Sequence, residues 1–238
     1  MKPYKECEDC IATPFCKVYS GAIKPRNGFE QWCRGKYSLD QALRLADIPD
    51  NYSEANLFRF QVDDHNVAAY ESLKEMVNGI VSDVDQGRNF FVFGSKTGTG
   101  KTFFASCLLH AYIYKTCMTE RFDYERPLSL FVFYPELIHD LRYRRDDEEL
   151  ERKIDRVKNV PLLLLDDIGA GTMTDFSREQ TILILNHRMN KRLSTIVTSN
   201  YRASELREEH RLGARIISRL VNKAAGIELG GRDRRLGL

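Results

Sequence analysis

The 238-residue sequence lacks any apolar run that approaches the roughly 20 residues needed to span a membrane. Its first residues, Met1–Cys7, are rich in charge and contain no apolar stretch of the kind that directs secretion. These two absences predict a cytoplasmic protein with no membrane partner. A large excess of charge is also missing. Because the net charge is only +2 at pH 7, any contact with nucleic acid must depend on a local patch.

Disulfide pairing is not expected in a reducing compartment, although the sequence contains six cysteines. Four of them precede residue 34 in the pattern Cys-x2-Cys-x5-Cys-x16-Cys, namely Cys7, Cys10, Cys16 and Cys33. This short, turn-rich segment cannot build a core unaided, and four thiolates on one Zn²⁺ would supply folding energy. We therefore predict a structural zinc-binding module over residues 1–50. An iron–sulfur cluster or unliganded cysteines are the alternatives.

A glycine-rich loop between an apolar run and a helical pattern is the strongest chemical signal. Asn89–Phe93 predicts a buried strand, and Gly98–Thr102, with the sequence Gly-Thr-Gly-Lys-Thr, leads into an apolar helix. In such a loop the backbone N–H groups wrap phosphates, Lys101 reaches the β- and γ-phosphates and the Thr102 hydroxyl holds Mg²⁺. We predict ATP and Mg²⁺ as ligands, with a loop formed by Ser95, Lys96, Thr97, Gly98, Thr99, Gly100, Lys101 and Thr102.

The loop departs from the usual phosphate-loop pattern at one position. Counting back from Gly100 places Ser95 where the first glycine is expected, and Gly94 comes one residue earlier. The motif therefore predicts nucleotide binding, but it does not predict the backbone conformation of this turn.

A second signal is the continuous apolar run that ends in an acidic pair, Val160–Gly169. Such a run is typical of a strand buried on both faces of a parallel sheet, and the acids follow at its carboxyl end beside the phosphates. This is a Walker B pattern, in which Asp166 would bind Mg²⁺ through water and Asp167 would polarise the attacking water. Asp167 is one methylene shorter than glutamate, so slow hydrolysis is expected.

A third strand is predicted over Leu193–Asn200, and its polar tip would direct Asn200 at the γ-phosphate if the strand lies between the other two. Further along the chain, Arg211, Arg215 and Arg219 recur every four residues and predict one helical stripe. The stripe is either a solvated face or the source of an arginine that a neighbouring subunit supplies to the γ-phosphate. Arg219 is our first candidate for that role and Arg215 the second.

The remaining segments carry weaker signals. Apolar residues at helical spacing, interrupted by the turn Ile48–Tyr52, predict a helical linker over residues 51–84 ahead of an ATPase domain over residues 85–238. The turn is either a plain connection or a contact to the nucleotide base. The mixed-charge run Arg142–Glu149 is either a solvated helix face or, through Tyr143, a contact to nucleic acid.

The basic tail, residues 230–238, is too short for the helical lid domain that usually follows such a core. Arg234 or Arg235 either replaces the phosphate-sensing residue of that lid or belongs to a frayed terminus.

Together these motifs resemble the AAA+ family and, within it, helicase loaders of the DnaC/DnaI type and the related IstB-type ATPases. The resemblance is carried by Ile48–Tyr52, Gly98–Thr102, Leu164–Gly169, Asp175–Glu179, Arg188–Met189 and Thr198–Tyr201. It implies an α/β fold, in which a central parallel sheet is flanked by helices, preceded by the cysteine-rich module and lacking a full lid domain.

The resemblance also implies a mechanism. The cysteine-rich module would grip a DnaB-type hexameric replicative helicase, and the core would bind ATP and single-stranded DNA. Copies of the chain would form a homo-oligomer, and ATP hydrolysis completed by a neighbouring subunit would release the helicase. The alternatives are a transposition helper that assembles on duplex DNA, a non-hydrolysing DNA-binding adaptor and a small-molecule kinase.

Overall fold

The computed structural model describes residues 34–144, 147–171, 173–221 and 224–234. Its centre is one five-stranded sheet in the order β2-β3-β4-β1-β5, and every neighbouring pair is parallel. The strands are β1 (Asn89–Phe93), β2 (Ser129–Phe133), β3 (Leu162–Asp166), β4 (Ser194–Ser199) and β5 (Ala224–Glu228). The strand that ends near Asn200 does lie between the two strands that carry the nucleotide motifs. All carboxyl ends therefore meet at one edge of the sheet.

Helices cover both faces of this sheet. They are α1 (Arg34–Leu45), α2 (Val67–Asp85), α3 (Lys101–Thr116), α4 (Tyr134–Tyr143), α5 (Glu148–Asn159), α6 (Asp175–Asn190), α7 (Ala203–Leu206) and α8 (Ala214–Leu220). Side chains that alternate along β3 enter different cores: Leu162 and Leu164 pack with α1, α2 and α3, whereas Leu163 and Leu165 pack with the later helices. This explains why the sequence of β3 is a continuous apolar run. None of the helices in the described ranges combines the length and the apolar composition that crossing a membrane requires.

The segment before β1 packs into the same core as the sheet. Two short 3₁₀ helices, Asp50–Tyr52 and Leu57–Arg59, precede α2, and Ala55 and Phe60 are buried beside them. The buried His110 on α3 donates from Nδ1 to the Ala55 carbonyl at 2.8 Å, because a carbonyl can only accept. The boundaries predicted at residues 50 and 84 remain predictions, and the residues on either side of position 84 share one core.

The mixed-charge run Arg142–Glu149 spans the break between two helices. Helix α4 ends at Tyr143 and α5 begins at Glu148, with the Asp147 side chain accepting from the Glu149 amide at 2.9 Å. Arg144 donates to the same Asp147 at 2.6 Å. The run therefore caps a helix and pairs its own opposite charges, and Tyr143 stays largely exposed.

Candidate nucleotide site

A cleft of about 520 Å³ lies at the carboxyl edge of the sheet. It brings together residues from four separate parts of the chain: the segment before α2, the loop after β1, the ends of β2, β3 and β4, and the tail. The lining residues are Tyr52, Arg59, Phe60, Gln61, Thr97, Gly98, Gly100, Lys101, Thr102, Phe103, Phe133, Asp166, Asp167, Thr198, Asn200 and Arg234. The predicted phosphate loop and the predicted acidic pair thus share one cavity.

The glycines of the loop are required by its backbone. Gly98 and Gly100 have φ values of +71° and +95°, in the left-handed region that favours glycine. Gly94 has a different reason to be glycine, because a Cβ there would lie 2.1 Å from the carbonyl oxygen of Leu229. Gly94 thus admits the close approach of the chain that follows β5, and Ser95 occupies the exposed start of the loop.

Lys101 opens helix α3 and turns its side chain back into the loop. Its Nζ donates to the carbonyl oxygens of Lys96 at 2.7 Å and Gly94 at 3.1 Å, and the residue is only 8% exposed. A buried ammonium beside a wrapped loop and a helix N-terminus is the charge arrangement that suits phosphate oxygens.

Asp166 and Thr102 place two oxygen donors side by side. The Asp166 carboxylate accepts from the Thr198 hydroxyl at 2.6 Å and is also hydrogen-bonded by the Thr102 hydroxyl. Burial raises the pKa of the Asp166 carboxyl, and the two hydroxyl hydrogen bonds oppose that shift. Hard oxygen ligands of this kind fit Mg²⁺, so the residues present suit the predicted ion.

Asp167 and Asn200 meet above the acidic strand end. Asp167 has a φ of +59°, unusual for a residue other than glycine, and its Oδ1 accepts from Asn200 Nδ2 at 2.9 Å. The Asp167 amide donates to the Thr198 hydroxyl at 2.8 Å. One hydroxyl on β4 therefore fixes both acids, since it also donates to Asp166. Sequence reasoning missed Thr198, although its position near the end of β4, two residues before Asn200, was the available signal.

An aromatic wall forms the other side of the cleft. Phe60 lies parallel to Tyr70 with a centroid distance of 5.8 Å and contacts Phe104 edge-on at 6.0 Å. Tyr52 stacks on Phe131 at 6.1 Å and also lines the cleft. The turn at Ile48–Tyr52 thus contributes one ring to the site.

The tail closes the cleft beside the loop. The Arg234 amide donates to the Gly98 carbonyl at 2.9 Å, and its guanidinium reaches Asp63 at 2.7 Å. Arg235, the other tail candidate, lies outside the described residues.

A family model described as "IstB-like ATP binding protein" matches residues 28–237. The chain belongs to the IstB-like ATP-binding family. The predicted resemblance to this group is confirmed, and membership assigns ATP binding to the chain. The cleft described above is where the fold offers phosphate-binding groups.

Individual relatives agree with this assignment. The IstB-like chain is 33% identical over 165 residues to the replicative helicase loader DnaI of Bacillus subtilis, covering 65% of this chain and 50% of DnaI. It is 26% identical over 242 residues to the phage-like element PBSX protein XkdC of the same organism, covering 94% and 86%. The crystal structure of the DnaC helicase loader superposes with a TM-score of 0.64 at 25% identity, covering 76% of this chain and all of that one. The match to DnaI spans half the length of that relative.

In this IstB-like protein the three arginines predicted to form one helical stripe do not all lie on one helix. Arg211 precedes α8, because the chain turns at Gly213 (φ +79°), and its guanidinium lies 3.5 Å from the centre of the Tyr201 ring. Arg215 and Arg219 do share α8. The prediction of one helical stripe was therefore wrong for Arg211.

Neither Arg215 nor Arg219 lines the nucleotide cleft. Arg219 lies in a second, smaller cleft beside Asn89 and Leu193, at the amino ends of β1 and β4. It donates to the Arg215 carbonyl at 2.7 Å and to Asn186 of α6. This is the edge of the sheet opposite the phosphate loop.

The predicted zinc ligands Cys7, Cys10, Cys16 and Cys33 lie outside the described residues, so zinc remains a prediction. Cys107 and Cys117 are buried in the core, as predicted. Burial raises the pKa of the Cys107 thiol, which disfavours the thiolate that metals and electrophiles need.

Proposed function

We propose that this protein is an ATPase of the helicase-loader type, which binds ATP in the cleft and loads a DnaB-type hexameric replicative helicase onto single-stranded DNA. The convergence of Lys101, Asp166 and Asn200 on one cleft carries the proposal. The relatives named as helicase loaders, DnaI and DnaC, direct it to this partner. Cytoplasmic location follows from the same proposal.

Phosphate binding would rest on the loop and on Lys101. The amides of residues 95–102 and the start of α3 supply partial positive charge, and the Lys101 ammonium is already inside the loop. Thr102 and Asp166 would hold Mg²⁺, which when bound neutralises charge on phosphate oxygens. Asn200 would contact the terminal phosphate. Asp167, which is hydrogen-bonded to Asn200, would accept a proton from the attacking water.

Turnover is expected to be slow because Asp167 reaches less far than a glutamate would. Its carboxylate is also tied to Asn200. We expect Asp167→Glu to raise the ATP hydrolysis rate several-fold, about the scale of a repositioned general base. Phosphate release under single-turnover conditions measures this. Asp175→Glu, an exposed change at the start of α6, is the control, and an unchanged rate for Asp167→Glu would contradict the assigned role.

Arg219 would act on the nucleotide of a neighbouring copy. Within one chain it lies at the opposite edge of the sheet from the loop, so its own cleft is out of reach. A homo-oligomer in which one copy presents this edge to the cleft of the next would complete the site.

Family membership alone also favours a second candidate, a transposition helper that assembles on duplex DNA. A complex with a hexameric helicase supports loading, whereas nucleotide-dependent filaments on duplex DNA support the helper. Both candidates require ATP binding in this cleft.

A further inference from the structure

The tail forms a strap across the phosphate loop, defined here as residues 230–234. Gly98 is the point of contact: its carbonyl accepts from the Arg234 amide at 2.9 Å. A Cβ on Gly98 would lie 1.7 Å from an Asp233 carboxylate oxygen, so the strap packs directly on the glycine backbone. The tail is therefore in direct contact with the phosphate loop.

The strap is anchored at its other side to a turn that is closed by its own hydrogen bonds. Asp63 Oδ1 accepts from the His65 amide at 2.9 Å, and the buried Asn66 side chain accepts from the Asp63 amide at 2.8 Å and donates to the Gln61 carbonyl at 2.9 Å. The turn is thus fixed by its own hydrogen bonds. The second oxygen of Asp63, Oδ2, is left to accept from Arg234 at 2.7 Å.

Arg234 is held by two of its three nitrogens. One terminal nitrogen donates to Asp63 and the other to the Gln61 carbonyl, and the guanidinium lies 5.9 Å from the centre of the Phe60 ring. The remaining nitrogen, Nε, is buried, and no hydrogen-bond partner for it is found in the described part of the chain. Arg234 also lines the nucleotide cleft. A buried donor without a partner is rare in proteins, and a ligand or water oxygen bound beside it would satisfy it.

We propose that Asp63 is a positioning residue for nucleotide binding, which orients the Arg234 guanidinium so that its free Nε–H meets a phosphate oxygen in the cleft. This inference rests on the proposed binding of ATP there. Asp63 would act only through Arg234, in the way that an outer carboxylate fixes the orientation of an inner ligand.

The direction in which ATP affinity changes when Asp63 loses its charge distinguishes a positioning role from simple charge repulsion. Removing a negative charge near an anion site raises phosphate affinity by Coulomb's law. Loss of a positioning residue lowers it, because the arginine must then be ordered when the nucleotide binds. Asp63→Asn is the sharpest variant, since its Oδ1 can still accept from His65 while the charged partner of Arg234 disappears. Asp64→Asn is the matched control, because Asp64 is the exposed neighbour of Asp63.

The experiment measures the affinity of the full-length chain for ATP and ADP with Mg²⁺ by calorimetry. We expect Asp63→Asn to weaken ATP binding by about five- to twenty-fold, in the range of one charge-assisted contact, and Asp64→Asn to leave it unchanged or slightly stronger. In an Arg234→Gln background, Asp63→Asn is expected to cause no further loss. Thermal unfolding of each variant establishes that the fold is retained.

Affinity that is unchanged or raised in Asp63→Asn would overturn the inference, as would losses that add in the double variant. Neither result touches the proposed function, provided that the wild-type chain binds ATP. Failure of the wild-type chain to bind ATP would instead remove the proposed function itself.

Discussion

Lys101→Ala is expected to weaken ATP binding by about two orders of magnitude and to abolish hydrolysis. The ammonium is buried inside the loop, where its charge is screened little by water and its partners are carbonyl oxygens of Gly94 and Lys96. In the described part of the chain no other lysine lines the cleft, and the two arginines that do, Arg59 and Arg234, already pair with Glu54 and Asp63. Calorimetry with ATP and a phosphate-release assay measure the two effects.

Lys96→Ala is the matched control for this prediction. Lys96 belongs to the same loop and carries the same charge, but its side chain is exposed and it does not line the cleft. We expect at most a small, salt-dependent loss of affinity for this variant. Equal losses in the two variants would mean that the loop attracts nucleotide by general charge rather than through one buried contact.

Arg219→Ala is expected to retain ATP binding and to lower hydrolysis about 100-fold or more, as removal of an arginine supplied in trans does. Mixing it with Lys101→Ala provides the decisive test. One variant retains an intact nucleotide site and the other an intact Arg219, so a mixed oligomer contains composite sites with every group in place. Phosphate release by the mixture that clearly exceeds the release by either variant alone is the expected outcome.

Arg215→Ala is the control here, because Arg215 lies one turn away on α8 and is exposed to solvent. Its backbone carbonyl, which accepts from Arg219, is kept in the variant. Near-normal hydrolysis is expected. Loss of activity in Arg215→Ala with normal Arg219→Ala would transfer the role to Arg215, and mixed oligomers without recovery would contradict action in trans.

The sequence predicts those strands that are apolar on both faces. The apolar residues of β1 and β3, and the central Ile196 and Val197 of β4, are visible in the sequence because they enter one core or the other. Strand β5 was not predicted, since Ile227 is its only buried residue and the rest of Ala224–Glu228 is small or exposed. An edge strand of this kind leaves no pattern of period two or of continuous hydrophobicity.

The residues of the candidate site also differ in whether the sequence alone could predict them. The loop, the acidic pair and Asn200 could be predicted because each lies in one short stretch at the end of a strand. The contact between Asp63 and Arg234 joins residues 171 positions apart, and no local spacing signals it. Arg211 was misplaced because a period of four residues suggested one helix, whereas Gly213 in a left-handed conformation starts the helix only at Ala214.

The proposed function requires a segment of the chain that binds the helicase. The predicted zinc module would supply it, and α1 limits how much of that region can be removed. Leu39 and Ala42 of α1 are buried against the rest of the core, so a deletion to residue 50 would remove part of that core. A deletion of residues 1–33 removes the four candidate zinc ligands and keeps α1.

The measurement that tests the central claim is size-exclusion chromatography with mass detection of the full-length chain mixed with a cognate hexameric helicase, with and without ATP. A defined complex that requires residues 1–33, and whose ATP dependence is lost in Lys101→Ala, is the predicted result. If no complex forms under any nucleotide condition, the helicase-loader function is contradicted, and assembly on duplex DNA becomes the function to test.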